Sequence, residues 1–231
     1  MTVAAALFDL DDTLYREMDF VESGFMAVAG FLSEHYGFNE EIIFDKTMDI
    51  LRAFGRGKIF DRLLNALDIS DEAMVHYLVY IYRTHRPDIH TYEEAIPVLK
   101  GLRAAGVKTG LITDGMAVVQ QNKVAALGIY GLFDVVIYTD AIGRPYWKPS
   151  PVPFKMALQI LGTTARESVY VGDDPLKDFH APNALGMKSV QIIREGAIAR
   201  DAGQGYAAQT IINTLSEYFG VTYGYAINND K

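Results

Sequence analysis

Short, almost wholly apolar runs that stop at polar or acidic residues recur along the chain at 3–8, 107–113, 134–138, 168–172 and 188–193. Such runs lack the alternation of a half-exposed strand, so they predict strands covered on both faces, as in a parallel sheet. Between them the apolar spacing becomes helical. Phe154, Leu158 and Leu161 stand at i, i+4 and i+7 behind Pro149-Ser150-Pro151, where proline is tolerated at a helix start. Strand and helix alternate from about residue 93 onward, which predicts an α/β fold with an open, mostly parallel sheet and helices on both faces. The first run is separated from the second by about 100 residues, far more than one crossover helix needs. Within that interval Val21, Phe25, Val28 and Leu32 form one amphipathic stripe, and Ser70-Asp71-Glu72 opens a second helix carrying Met74, Leu78 and Ile81. Residues 17–90 therefore predict an inserted all-helical subdomain, leaving 1–16 and 91–231 to the sheet. The stretch 76–82 has strand-like β-branched and aromatic content, but its acidic, capped start favours helix. A short helix at about 211–219 and a loosely held polar tail over 220–231 complete the expectation.

Composition narrows the function. Half of the 231 residues are apolar and 22% are charged, as in a soluble globular protein. A chain of this size buries roughly 70–75% of its unfolded surface and needs no disulfide or metal to hold a core. The net charge of -8 argues against a broad electrostatic grip on nucleic acid or an anionic membrane, so any anionic ligand must be held locally. The absence of cysteine excludes disulfides, thiolate nucleophiles and cysteine-based zinc sites. The N-terminal stretch has no basic leader and soon reaches two carboxylates, and no apolar run approaches the roughly 20 residues that span a bilayer. The expected location is cytoplasmic.

Candidate chemistry gathers where apolar runs end. Asp9-Leu10-Asp11-Asp12-Thr13 follows the first run, and ligands of open α/β sheets bind beyond the carboxyl ends of strands. Residues two apart on extended chain point the same way, so Asp9 and Asp11 can converge; two such carboxylates require a cation, a shared proton or an ammonium. Alone, the cluster also suits an acidic turn or a helix cap. Leu111-Ile112-Thr113-Asp114-Gly115 ends the second run with a hydroxyl, backbone N–H groups and a glycine, which equally fits an ordinary strand-to-helix turn. Lys148 lies in the loop Trp147-Lys148-Pro149, and a lone lysine is usually a solvated surface group. A further run ends in Gly172-Asp173-Asp174-Pro175-Leu176-Lys177-Asp178, where the Gly-Asp pair suits a turn by itself. Taken together, four successive strand ends present Asp/Asp, Thr, Lys and Asp/Asp to one edge of the sheet.

In order and spacing these segments resemble the four motifs of the haloacid dehalogenase superfamily: Asp9-x-Asp11-x-Thr13, Thr113, Lys148, and Gly172-Asp173 with Asp178. The resemblance extends from Leu7 to about Ile193. The segment Lys148-Pro149-Ser150-Pro151-Val152-Pro153-Phe154 is similar to that of the subgroup with a helical cap between the first two motifs. The resemblance implies a Rossmann-like core, a helical cap and a phosphatase dependent on Mg²⁺. Asp9 would be the nucleophile that becomes an aspartyl-phosphate, and Asp11 the acid for the leaving alkoxide and then the base for water. Mg²⁺ would be held by the carboxylates of Asp9 and Asp173 and the backbone carbonyl of Asp11, with Asp178 supporting from behind and Asp174 as a further candidate support. Thr113, the backbone N–H groups at Asp114 and Lys148 would bind phosphoryl oxygens, and Thr13 would brace the loop.

Relatives often carry Asn at position 114, so Asp114 adds a negative charge near a bound phosphate. Trp147 stands where many relatives have a smaller or basic residue; it can wall the pocket or pack, and packing is the expectation. Asp11 argues against the dehalogenase branch, which lacks that carboxylate. Tyr15-Arg16-Glu17-Met18-Asp19 leads into the inserted helices, where it can face the leaving group. Arg56 and Lys58, with Arg52 and Arg62 nearby, read as a solvated helix end or, more sharply, as a contact for an anionic substrate; the spacing is not that of a P-loop. The expected substrate is a small phosphate ester: a sugar phosphate, a phosphoglycolate-like acid or a nucleoside monophosphate. A phosphomutase and, further off, a non-enzymatic phosphoacceptor switch are the alternatives. Neither a nucleic-acid nor a membrane partner is expected, and the sequence leaves the oligomeric state open.

Overall fold

The structure is a computed structural model that describes residues 3–196, 203 and 205–223. The chain divides into two compact units, Met1–Arg16 with His90–Lys231, and Glu17–Ile89.

The first unit is built on six parallel strands, β1 (Ala5–Phe8), β2 (Lys108–Thr113), β3 (Val135–Tyr138), β4 (Ser168–Gly172), β5 (Lys188–Ile192) and β6 (Thr210–Ile212), in the order β3-β2-β1-β4-β5-β6. The chain leaves β1 for β2 and β3 on one side and returns to β4 on the other, so the strand order reverses between β1 and β4. That reversal is where open α/β sheets place ligands. Register brings Phe8 beside Val171, and the N–H of Asp9 donates to the Val171 carbonyl at 2.8 Å. Asp9 and Gly172 thus leave the sheet side by side.

All four residues of β1 are fully buried, and alternation sends neighbours to opposite faces. Leu7 joins the core formed with Phe154 and Leu158 of α8 (Val152–Leu161). Phe8 packs on Phe219 of α10 (Leu215–Tyr223) at a ring-centroid distance of 5.7 Å. Helices therefore cover both faces, which is why the strands read as continuous apolar runs. At Gly110 a Cβ would lie 2.4 Å from Leu7 Cδ2, so a side chain would displace the centre of the sheet.

One element departs from the sequence expectation. Residues 211 and 212, where the expected terminal helix starts, belong to β6 on β5, and the helix begins at Leu215 and includes Gly220. Thr-Ile-Ile is β-branched, but three residues carry too little periodicity to reveal a strand whose partner is β5. The rest of the expected tail, 224–231, lies outside the described residues.

The second unit comprises α1 (Glu17–Tyr36), α2 (Glu40–Phe54), α3 (Ile59–Ala66) and α4 (Glu72–Thr84). Asn39 caps α2 by accepting from the N–H of Ile42 at 3.0 Å, and Asp71 caps α4 by accepting from the N–H of Ala73 at 2.9 Å. The caps resolve 76–82 as helix. Phe25, Leu32, Ile43, Leu63 and Leu78 meet in its core. A Cβ at Gly24 would come within 2.5 Å of the Tyr82 ring, so α1 and α4 cross closely there. Among the described residues no helix is long and apolar enough to cross a membrane.

Candidate active site

The site begins with Lys148, whose side chain is fully buried. Its Nζ lies 2.7 Å from Asp9 Oδ1 and 2.7 Å from Asp178 Oδ1, and it donates to Tyr170 Oη at 3.1 Å. Lys148 does not sit at a strand end as the motif reading expected. It follows β3 only after α7 (Thr139–Ile142) and a 3-10 turn at Arg144–Tyr146. Asp114 compensates: its Oδ1 accepts from Thr139 Oγ1 at 2.7 Å and from the N–H of Lys148 at 3.2 Å, tying the loop back to the end of β2. The extra carboxylate at position 114 is thereby engaged with the protein. Burial alone would lower the pKa of Lys148, but Asp178, Asp9 and Asp114 raise it well above the ordinary lysine value. The same surroundings, burial first and then the three carboxylates, push the Tyr170 phenol up as well.

Asp178 is fully buried and both its oxygens are used. Oδ1 accepts from Lys148 and from Tyr170 Oη at 3.0 Å, and Oδ2 accepts from the N–H of Asp174 at 2.9 Å. The glycine before Asp173 is required here, because a Cβ on Gly172 would lie 2.6 Å from Asp178 Oδ2. Asp174 spends its own Oδ1 on the N–H of Leu176 at 3.0 Å, shaping the turn.

Asp9, Asp173 and Asp178 present carboxylate oxygens all within 4.8 Å of one another. Asp9 Oδ2 and Asp173 Oδ1 are buried without a hydrogen-bond partner; Lys177 Nζ approaches Asp9 Oδ2 to 3.6 Å. Burial, then Asp178 and Asp9, pushes the Asp173 carboxyl up to about 9. Two orphaned carboxyl oxygens, with the third carboxylate saturated by protein donors, match the donor set of a small oxygen-seeking divalent cation.

Asp11 sits in a separate nest. Its Oδ1 contacts Lys123 Nζ at 2.7 Å and accepts from Tyr15 Oη, and its Oδ2 accepts from Gln120 Nε2 at 2.8 Å. Gln120 Nε2 also donates to Thr113 Oγ1 at 2.5 Å, joining Asp11 to the end of β2. Burial would raise the Asp11 pKa, but the Lys123 charge and the hydrogen bonds from Lys123, Tyr15 and Gln120 bring it below the ordinary carboxylate value. Asp12 takes a left-handed conformation, φ 54°, which turns the loop. Thr13 Oγ1 is buried with no hydrogen bond, and bracing comes instead through its carbonyl, which accepts from Arg194 Nη2 at 2.6 Å.

Most expected residues thus converge on the ends of β1, β2 and β4, while Thr13 and Asp174 act on the backbone around them. Sequence reasoning missed Gln120, Lys123, Tyr170 and Lys177, and placed Tyr15 in a loop facing the leaving group without foreseeing its bond to Asp11. Gln120 and Lys123 share the buried face of α6 (Ala117–Ala126) with Val124, a burial that two polar side chains do not announce in sequence. In the helical unit, Arg56 makes a two-pronged pair with Glu17 at 2.9 and 2.5 Å, Arg52 contacts Asp49 at 2.8 Å, and the Arg62 guanidinium lies 4.5 Å from the Phe54 ring centroid.

Comparison with known proteins follows the same lines. Residues 6–192 match the haloacid dehalogenase-like hydrolase family. The chain is 35% identical over 223 residues to a glyceraldehyde 3-phosphate phosphatase of Methanocaldococcus jannaschii, covering 93% of this chain and 95% of that one. It is 33% identical over 202 residues to the phosphatase of the same name from Methanopyrus kandleri, covering 83% and 84%. A HAD phosphatase structure from Thermococcus onnurineus matches with a TM-score of 0.62 at 27% identity, over 97% of this chain and 99% of that one. The chain belongs to the haloacid dehalogenase-like hydrolases and is a phosphatase of that family.

Proposed function

We propose that the protein is a Mg²⁺-dependent phosphomonoesterase for small phosphorylated metabolites, working through an aspartyl-phosphate on Asp9. The observation that carries the reading is the setting of Asp9: one oxygen held by Lys148, the other buried and without a hydrogen bond beside the orphaned oxygen of Asp173. The name of the relatives at 33–35% identity makes glyceraldehyde 3-phosphate the first substrate to try.

In this reading Asp9 and Asp173, with the backbone carbonyl of Asp11, hold Mg²⁺, and the bound ion supplies the positive charge that lets an anionic nucleophile meet an anionic phosphoryl group. A carboxylate oxygen of Asp9 attacks phosphorus, the bond to the ester oxygen breaks, and Asp11 delivers a proton to the departing alkoxide. Approach of the phosphate dianion favours the protonated form of Asp11 by like-charge repulsion. Water then attacks the aspartyl-phosphate, Asp11 takes its proton, and the electron pair of the breaking bond returns to Asp9. Lys148, Thr113 and the N–H groups at Asp114 stabilise the phosphoryl oxygens. Residues 17–90 serve as the cap that selects among leaving groups, and 1–16 with 91–231 as the catalytic core.

The test is phosphate release from glyceraldehyde 3-phosphate, other sugar phosphates, phosphorylated short acids and nucleotides, with Mg²⁺ or EDTA. Metal-dependent release that vanishes in Asp9→Asn is expected. Turnover retained in that variant would overturn the assignment of the nucleophile, and conversion without free phosphate would point to a phosphomutase.

A further inference from the structure

We propose that Lys123 and Gln120 are positioning residues that hold the Asp11 carboxylate where it takes a proton from the water attacking the aspartyl-phosphate. This rests on the reading of Asp9 and Asp11 above and adds two residues from a different part of the chain. Both lie on α6, which follows β2, whereas Asp11 follows β1, so only the fold brings them together.

The contacts divide the two carboxylate oxygens between separate donors. Lys123 and Tyr15 meet Oδ1, and Gln120 meets Oδ2. A carboxylate gripped at both oxygens is fixed in rotation as well as in position, and proton transfer depends on that direction. Gln120 and Lys123 are three residues apart, on one face of the helix. Their burial is unusual for their types: Gln120 is 2% and Lys123 4% exposed. A buried ammonium needs a charged partner, and Asp11 at 2.7 Å provides one. Gln120 also donates to Thr113, a residue assigned to the phosphoryl oxygens, so one amide group sets the proton acceptor and the phosphoryl contact in common register. The proton in this step moves from water to an Asp11 oxygen while the phosphorus–oxygen bond to Asp9 breaks. Lys123 orients the acceptor and transfers no proton.

The alternative is that Lys123 has a structural role only, packing α6 against the sheet without acting on the Asp11 step. Stopped-flow kinetics of the full chain with Mg²⁺ and p-nitrophenyl phosphate separate the two, because p-nitrophenolate leaves without needing a proton and only the second half-reaction then depends on Asp11. Lys123→Met should keep a rapid burst of p-nitrophenolate near one per active site, lower the steady-state rate about 100-fold, the lower end for an acid–base group, and accumulate phosphoenzyme. Gln120→Leu should act in the same direction, about tenfold, and keeps the test available if Lys123→Met does not fold. In an Asp11→Asn background Lys123→Met should change the steady-state rate less than about twofold, because the group it positions has gone. An equal slowing of burst and steady state, or an undiminished effect in the Asp11→Asn background, would reduce Lys123 to a structural role. If Asp11→Asn alone leaves turnover intact, the reading of Asp11 fails; if it is slow while Lys123→Met and Gln120→Leu are not, only the positioning inference fails.

Discussion

Replacing Lys148 with methionine keeps a side chain of nearly the same length and removes the ammonium that separates Asp9 from Asp178. With no exposure of the side chain and 2.7 Å to each partner, the gross attraction at an effective dielectric of 20 is about 6 kcal/mol per contact. Desolvation of the three charges offsets much of this, and losing one partner from a buried pair costs about 3–5 kcal/mol net. For a chain of this size that corresponds to a fall in Tm of roughly 6–20 °C, at about 2–4 °C per kcal/mol. The pH dependence gives the argument its sharper edge. The folded pKa of Lys148 is raised, so its stabilisation is complete below the unfolded lysine value of about 10.4 and is lost only as pH climbs through the folded one. Between pH 5 and 8 the wild-type contribution from this group is therefore flat. In the variant, Asp9, Asp173 and Asp178 face one another without the ammonium that opposes proton uptake at Asp173, the cluster binds more protons than in the wild type, and the folded state gains stability as pH falls. Thermal unfolding in EDTA should show a Tm deficit that is large at pH 8 and smaller at pH 5, and adding Asp178→Asn should recover a substantial part of it at pH 8. A deficit under about 2 °C would refute the reasoning, since it is below the smallest shift expected for a buried pair. So would a deficit equal at both pH values.

Two further outcomes follow from the same cluster. Because burial and the neighbouring carboxylates push Asp173 up to about 9, cation binding must displace its proton; Mg²⁺ affinity measured by calorimetry should rise about tenfold per pH unit between pH 6 and 8 and level off above about 9. The same raised pKa makes the metal-free protein lose stability as pH rises toward 9, and a flat affinity profile would contradict both statements. Gly172→Ala drives a Cβ to 2.6 Å from Asp178 Oδ2, and Asp178 cannot retreat from Lys148, Tyr170 and the N–H of Asp174. Overpacking of this kind costs about 1–3 kcal/mol, so a measurable Tm loss accompanied by reduced phosphatase activity is expected, and wild-type stability would show that the cluster can give way.

The parts legible in the amino-acid sequence are those whose signal is local. Five of the six strands announced themselves because burial on both faces demands uninterrupted apolar residues. The caps Asn39 and Asp71 bond to the next few N–H groups of their own chain, and Asp71 was readable for that reason. Asp9, Asp11, Thr113, Asp173 and Asp178 stood out because functional groups at strand ends break apolar runs abruptly. Tertiary structure decided what depends on distant partners. Thr210–Ile212 is a strand because β5 offers it an edge. Asp114 is engaged by Thr139 and the Lys148 backbone, a bracket between segments with no shared local pattern. Lys123 and Gln120 look like ordinary polar helix residues until α6 lies against the loop after β1, where burial turns each into a group that must find a partner, and Asp11 is the partner within reach.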